Sequence, residues 1–310
     1  MQRLWSPWRM SYVTKSGDDA DSTGAPRDIF VEALKTADDP DSLVVHRGER
    51  GFVVMNLYPY NTGHVMVVPN RKVATLEELD DDEAAELMLL LKRSMTAARA
   101  VLRCDGFNAG LNVGAIAGAG VADHLHFHLV PRWLGDANFM PITANTMVMP
   151  ELLPATTARF KGEFATLAAR DADPDCRRTA GALVYLPAER KLVLRRSASG
   201  DIVIPKGGIE AGESASDAAL REIREETGYR ATITGWCGLD RYEHDGRRFH
   251  VVVFFGVGEA TADVDEHLDR DVVLVDPDEA AEVLTFEGQK GLARRAAELV
   301  ARNFAPGDGE

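Results

Sequence analysis

Apolar and polar positions alternate along this chain in blocks whose period changes from one block to the next. Two apolar runs, FVVMNL and HVMVVP, flank the turn-rich YPYNTG and predict strands at 52–57 and 64–69. Residues 81–102 switch to a helical period, with Met88, Leu91 and Met95 three and four residues apart. Asp80, Asp81, Asp82 and Glu83 crowd the start of that helix, where the macrodipole favours acids, and read as a solvated helix start. Strands at 107–113 and 124–131 follow without crossover helices, so antiparallel pairing is the simplest arrangement.

A helix-like stretch at 151–170 leads into DADPDCRR at 171–178, which is polar, contains proline and has no period, and so marks a linker. The second half predicts strands at 180–186, 191–196 and 202–204, then a strong helix and strands at 231–239, 249–257 and 271–275. Helices near 278–284 and 288–302 close it. The Asp-, Ser- and Gly-rich stretch 16–26 reads as a loop or mobile arm, and the tail at 304–310 as disordered. The expected division is a first domain at 1–165, a linker at 166–178 and a second domain at 179–303. The length of 310 residues agrees with two cores.

Charge and cysteine content narrow the function. A net charge of −14 opposes binding to nucleic acid or an anionic membrane through bulk electrostatics, so any phosphate recognition must be local. Cys104, Cys176 and Cys237 form no C-x-x-C pair and leave one cysteine over, which fits a reducing cytoplasm better than a disulfide framework. The opening MQRLWSPWRM has no apolar run of signal-peptide length, and no later run is long enough to span a bilayer. The expectation is a soluble cytoplasmic protein.

The run HLHFHLV at 124–130 places His124, His126 and His128 on one face of an extended strand, about 6–7 Å apart, with Leu125, Phe127 and Leu129 on the other. With His64, these are four of the chain's eight histidines. Three imidazoles on one face suit either a metal site or a nucleophile with supporting donors. The triplet lacks close-spaced acidic or thiolate ligands beyond Asp123, which favours the nucleophile. A neutral imidazole whose second nitrogen holds the proton can attack phosphorus, and flanking imidazoles can donate to phosphate oxygens or to the leaving group.

Residues 1–150 resemble the histidine triad (HIT) family through WSPWRMSYV near the start, NLYPYNTGHVMVVP at 56–69, FNAGLNVGAIAGAGVADHLHFHLVPRW at 107–133 and GDANFMP at 135–141. The pattern is similar to the branch of diadenosine tetraphosphate phosphorylases and related hydrolases. The resemblance implies an antiparallel sheet with helices, His126 as nucleophile, His124 and His128 as assistants, and His64 completing the cluster. It also implies Asn56 at the ribose, Asn112 and Gly118 near the phosphates, and a homodimer through this domain. Ala119 and Gly120 stand where many relatives have Gln-Ser or Gln-Thr. Asp28, Val31 and Lys72 stand where zinc-binding relatives have two cysteines and a histidine, so no structural zinc is expected.

The second run, GGIEAGESASDAALREIREETGY at 207–229, carries Glu222, Glu225 and Glu226 at i, i+3 and i+4 on one helix face, with Ser214 or Ser216 as cap and Gly228 as terminator. Like charges so placed repel unless a cation binds them, and hard carboxylates suit Mg²⁺ or Mn²⁺. All fixed positions of G-x(5)-E-x(7)-R-E-U-x-E-E-x-G-U, where U is bulky and apolar, are present, so residues 179–300 resemble the Nudix family. That implies an α/β/α sandwich with a mixed sheet and Glu225 and Glu226 as metal ligands, with a carbonyl near Gly207 adding another. It also makes Glu222 a ligand or base, and Arg221 and Glu213 organisers of the loop.

IPKGGIEAGE at 204–213 is similar to the Nudix branch acting on dinucleoside and diphosphoinositol polyphosphates, with Lys206 and Arg195 as phosphate-binding candidates. The combined expectation is an α+β, bifunctional enzyme of nucleotide polyphosphates. The second half could instead act on ADP-ribose, an oxidised nucleoside triphosphate or a diphosphoinositol phosphate, or one half could serve as a nucleotide sensor.

Overall fold

Residues 28–136, 151–259 and 271–304 are described by the computed structural model. The N-terminal WSPWRMSYV, the arm at 16–26, most of GDANFMP and the tail from 305 lie outside them. The chain divides into two compact units, Met1–Leu152 and Leu153–Glu310. No helix among the described residues is long and apolar enough to cross a membrane.

The first unit begins with α1 (Ile29–Lys35), β1 (Val44–Arg47), β2 (Gly51–Met55) and β3 (Val65–Pro69). Then come α2 (Asp81–Leu102), β4 (Gly106–Leu111) and β5 (Phe127–Arg132). Its sheet runs β1-β2-β3-β5-β4 with antiparallel neighbours throughout. Every residue of β2 and β3 is buried. Phe30 of α1 packs with Phe52, Val54, Met66 and Val68, while Leu87 and Leu90 of α2 lie against Gly51. Cover on both sides explains why these strands read as continuous apolar runs. Each fully buried Val, Leu or Phe here contributes about 1.5–3 kcal/mol before ordering costs.

Helix α2 keeps the bounds its pattern predicts, but its buried face is Leu87, Leu90, Leu91, Ser94, Ala97, Ala98 and Val101. Met88 is exposed, so the core seam is offset from the Met88–Leu91–Met95 series. The acidic start is more than a solvated run. Asp80 caps the helix and Glu83 bonds back to the Asp80 N–H, completing a capping box. Arg71 then grips Glu83 through two nitrogens at 3.0 and 2.7 Å.

The second unit comprises α3 (Leu153–Ala172), β6 (Arg177–Leu186), β7 (Lys191–Arg196), β8 (Ile202–Val203), β9 (Lys206–Gly208) and α4 (Ala215–Thr227). It continues with β10 (Arg230–His244), β11 (Arg247–Glu259), β12 (Val272–Val275), α5 (Ala280–Val283) and α6 (Glu287–Phe304). The sheet is mixed: β11 and β6 are parallel and the other pairs antiparallel. Strand alternation sends Leu183, Tyr185, Val251 and Phe255 towards α5 and α6. The intervening Ala182, Val184, Val252 and Phe254 face α3 and α4. The result is the α/β/α sandwich expected for the second half.

The domain boundary differs from expectation. Residues 153–165 belong to the second unit, and 166–172 continue helix α3 where a linker was expected. The cause is the buried stripe of Ala155, Ala158, Phe160, Phe164 and Leu167, which must be covered and outweighs the polar composition beginning at Asp171. Gly162 rests against the Phe254 ring so closely that a Cβ would collide with it. Glu163 accepts a hydrogen bond from the Ala215 N–H at 3.1 Å, tying α3 to the start of α4.

Candidate active sites

In the first unit the histidines gather where β3 and β5 pair, with Met66 opposite His128 and Val65 opposite Leu129. Strand β5 starts only at Phe127, so His124 and His126 precede it instead of lying on its face. They sit in an extended segment docked by the Leu125 N–H to the Val73 carbonyl at 2.6 Å. The rings nevertheless cluster: centroids of His126 and His128 are 4.8 Å apart, and those of His64 and His128 are 5.2 Å apart.

Backbone donors and acceptors define where the protons lie. His126 Nδ1 is 2.9 Å from the His124 carbonyl, which can only accept, so Nδ1 carries the proton and Nε2 keeps its lone pair. Burial pushes the His126 imidazole below its ordinary pKa, with an opposing effect from that carbonyl, and so favours the neutral ring. The Tyr60 N–H donates to His64 Nδ1 at 3.1 Å, which puts the His64 proton on Nε2. His64 Nε2 then faces His128 Nδ1 at 3.0 Å, leaving the neutral His128 proton on Nε2. His64 is fully buried, and burial with its neighbours His128 and His126 lowers it to about 3.

His124 does something other than assist directly. Its ring is 1 % exposed, with Nδ1 3.0 Å from Asp28 Oδ2 and Nε2 3.0 Å from the Pro69 carbonyl. Neither nitrogen is available to a phosphate or leaving group. Asn56 reaches His64 Nδ1 at 3.3 Å through its amide and accepts from the Tyr58 N–H at 2.9 Å. Asn112 is half-buried just past β4. Gly118 ends a short 3₁₀ turn at φ +88°, a conformation that suits glycine and brings bare backbone to the surface.

Three participants are absent from the candidate site residues, although Tyr60 lies in NLYPYNTGHVMVVP and Asp136 in GDANFMP. Tyr60 stacks on His64 at 4.9 Å, and Phe30 packs against His124 and His126 at 5.3 and 4.9 Å. Asp136, held low at about 2 chiefly by Arg132, accepts from Asn61 at 3.0 Å and thereby anchors the loop leading to His64. Only the YPYNTGH loop offered a local signal; the Phe30 and Asp136 contacts span distant positions.

In the second unit, Ser214 caps α4 and Gly228 ends it at φ +74°. Arg221 organises the carboxylates: it binds Glu213 through two nitrogens at 3.0 Å each, the Gly208 carbonyl at 2.8 Å, Glu222 at 2.6 Å and Glu225 at 3.2 Å. Hydrogen bonds donated to the Glu213 and Glu222 carboxylates raise the Arg221 pKa still further. Glu226 stands apart from this group, paired with Arg195 and accepting from the Lys206 N–H at 2.9 Å. Arg195, expected at a phosphate, is thus engaged with an expected metal ligand. Lys206 Nζ lies 5.7 Å from the Tyr242 ring, and burial lowers its pKa.

Among the described residues, no three His, Cys, Asp or Glu side chains converge closely enough to hold a metal as they stand. The donor chemistry fits a hard divalent cation all the same: Glu222 nestles in the cradle left by Gly207, and the ion-pair partners of Glu222, Glu225 and Glu226 are guanidinium cations.

These two units define a protein with a histidine cluster in one half and a carboxylate helix in the other. The HIT domain profile matches residues 38–133 and the NUDIX domain profile residues 176–299. The AP-4-A phosphorylase of Mycobacterium tuberculosis (strain H37Rv) is 46% identical over 167 residues, covering 53% of this chain and 85% of that protein. The asymmetrical bis(5'-nucleosyl)-tetraphosphatase of Schizosaccharomyces pombe is 31% identical over 111 residues, covering 36% of this chain and 58% of that protein. Among solved structures, a zinc-bound histidine triad family protein from Mycobacterium smegmatis superposes with a TM-score of 0.36 at 21% identity, covering 45% of this chain and 95% of that one. The chain belongs to the HIT family, in the branch of the diadenosine tetraphosphate phosphorylases and hydrolases, and carries a Nudix domain fused behind it.

Proposed function

We propose that the chain is a bifunctional enzyme that cleaves dinucleoside polyphosphates such as diadenosine tetraphosphate, by covalent histidine chemistry in the HIT unit and metal-dependent hydrolysis in the Nudix unit. The observation that carries the first half is the bond from His126 Nδ1 to the His124 carbonyl, which directs the Nε2 lone pair outward from the backbone. The names of the related phosphorylase and tetraphosphatase support the substrate class.

In the first half-reaction His126 Nε2 attacks the α-phosphorus; a P–N bond forms, the P–O bond to the remaining nucleotide breaks, and that oxygen keeps the electron pair. The Nε2–H of His128 is placed to donate to a phosphate oxygen, with its tautomer set by His64. Inorganic phosphate or water then attacks the same phosphorus, and His126 recovers its lone pair.

In the Nudix unit, Glu222, Glu225, Glu226 and the Gly207 carbonyl would hold Mg²⁺ or Mn²⁺, which supplies charge neutralisation and an activated water when bound. Arg221 holds Glu213 and Glu222 in place, and Lys206, with its Nζ 5.7 Å from the Tyr242 ring, is the candidate phosphate-binding cation. The exposed residues Asn108, Ala109 and Gly110 on edge strand β4 support a homodimer built through the HIT unit.

The test is incubation with diadenosine tetraphosphate, with and without Mg²⁺ and inorganic phosphate. ADP plus ATP without metal marks phosphorolysis at His126, and ATP plus AMP marks asymmetric hydrolysis. Diadenosine tetraphosphate left intact under all four conditions would overturn the substrate assignment.

A further inference from the structure

Helix α1 lies upstream of the residues matched by the HIT profile, yet it delivers two side chains to the histidine cluster. One is Phe30, already described; the other is Asp28, the N-cap of α1. The Asp28 carboxylate divides its work. Oδ1 accepts from the Phe30 and Val31 N–H groups at 3.0 and 3.3 Å, which caps the helix. Oδ2 faces His124 Nδ1 at 3.0 Å and Lys72 Nζ at 3.3 Å, and Lys72 also binds Asp123 at 2.5 Å. Lys72 is thus a second cation on this carboxylate, with Asp123 balancing it at the surface.

The other side of His124 is as constrained. Nε2 lies 3.0 Å from the Pro69 carbonyl, an acceptor with no proton to offer. Both ring nitrogens therefore meet pure acceptors, and only a ring protonated at both satisfies them. A buried cation of this kind is held by a paired anion. Burial alone would raise the Asp28 carboxyl, but hydrogen bonding and charge from His124, with the two backbone N–H groups, outweigh it and keep it far below the usual carboxylate range. The carbonyl of this same His124 is the acceptor for His126 Nδ1.

We infer that Asp28, through an ion pair with a doubly protonated His124, is a positioning residue that fixes the His124 backbone and so sets the tautomer and aim of His126. This rests on His126 being the nucleophile proposed above. His124 is then an internal strut: its ring is anchored at both ends, and its carbonyl is the part presented to the neighbouring imidazole. Asp28 touches neither substrate nor reacting atoms.

The experiment uses the full chain with ¹⁵N-labelled histidine rings, observed at neutral pH by long-range ¹H–¹⁵N correlation, and compares wild type with Asp28→Ser. Serine retains the helix cap but cannot supply the charge. Wild type is expected to show His124 with both nitrogens protonated and His126 in the Nδ1–H form. Asp28→Ser should lose the second His124 proton and give mixed His126 tautomers. Its kcat for metal-independent cleavage of diadenosine tetraphosphate should fall about a hundredfold, with KM changed less than about twofold. Asp28→Asn, which keeps a neutral acceptor, should recover part of kcat.

A wild-type His124 with a single protonated nitrogen overturns the inference without reference to any variant, as does a wild-type kcat in a folded Asp28→Ser. Absence of cleavage by wild type would instead count against the nucleophile assignment, leaving the ring spectra to decide the role of Asp28.

Discussion

The Glu222 carboxylate lies against the Cα of Gly207, in the space that a Cβ at residue 207 would occupy. Strand β9 and helix α4 can approach only because that side chain is absent, and the approach brings the Gly207 backbone beside a proposed metal ligand. Gly207→Ala should push Glu222 off the strand. Mg²⁺-dependent hydrolysis is expected to fall about a hundredfold, with a stability loss of about 1–3 kcal/mol. Parallel rate and thermal-unfolding measurements check this, and unchanged Mg²⁺-dependent hydrolysis would contradict it.

Arg195 and a divalent cation compete for the Glu226 carboxylate. Replacing the arginine by an uncharged residue of similar length removes the competitor. Arg195→Gln should therefore bind Mn²⁺ more tightly, by about fivefold for a part-buried pair worth about 1 kcal/mol. Titration followed by electron paramagnetic resonance measures this without turnover. Weaker Mn²⁺ binding in the variant would show that Arg195 shapes the site instead of blocking it.

His64 makes the HIT unit sensitive to acid. Its folded-state value, about 3, lies below the 6.5 of an unperturbed histidine, so between those limits the unfolded chain binds a proton that the folded chain refuses. The stability it protects is present above about pH 6.5 and is lost as pH falls towards about 3. His64→Asn should flatten this dependence. Urea unfolding across that range, wild type against variant, provides the measurement; parallel slopes would exclude His64 as the cause.

Gly162 offers a test of where the second unit begins. Its contact with Phe254 leaves no room for a methyl group, and Trp236 packs edge-on to the same ring at 5.7 Å. Gly162→Ala should destabilise the second unit by about 1–3 kcal/mol while leaving the first unchanged. Hydrogen exchange resolved by peptide would show faster exchange in β11 and α4 but not in β2 or β3. Equal effects on both units would place α3 wrongly.

What could be read from the sequence was local. Ser214 and Gly228 mark the ends of α4 through contacts spanning a few residues, and the acids from Asp80 mark the start of α2, although the capping box that Glu83 completes there is visible only in the structure. The sandwich is implied by the resemblance that the 207–229 run carries, since β6 and β11 are buried over most of their length and show no apolar–polar alternation. Asp28 and His124 are 96 positions apart, and Arg195 and Glu226 are 31 apart; neither pairing leaves a periodic trace. Alternation in HLHFHLV suggested a strand through His124, but pairing with Val73 draws the segment away from the sheet before Phe127. Polar residues from Asp171 suggested a linker, and the buried stripe of α3 shows that tertiary cover decides.

The central claim is that His126 forms a covalent nucleotidyl intermediate independently of metal. Its most direct test is rapid acid-free quenching of the full chain with diadenosine tetraphosphate in EDTA without phosphate, followed by peptide mass spectrometry. The account predicts AMP linked to the peptide containing His126, in wild type and Glu226→Gln alike, with none in His126→Ala. An adduct that requires Mg²⁺, or that persists in His126→Ala, would contradict it.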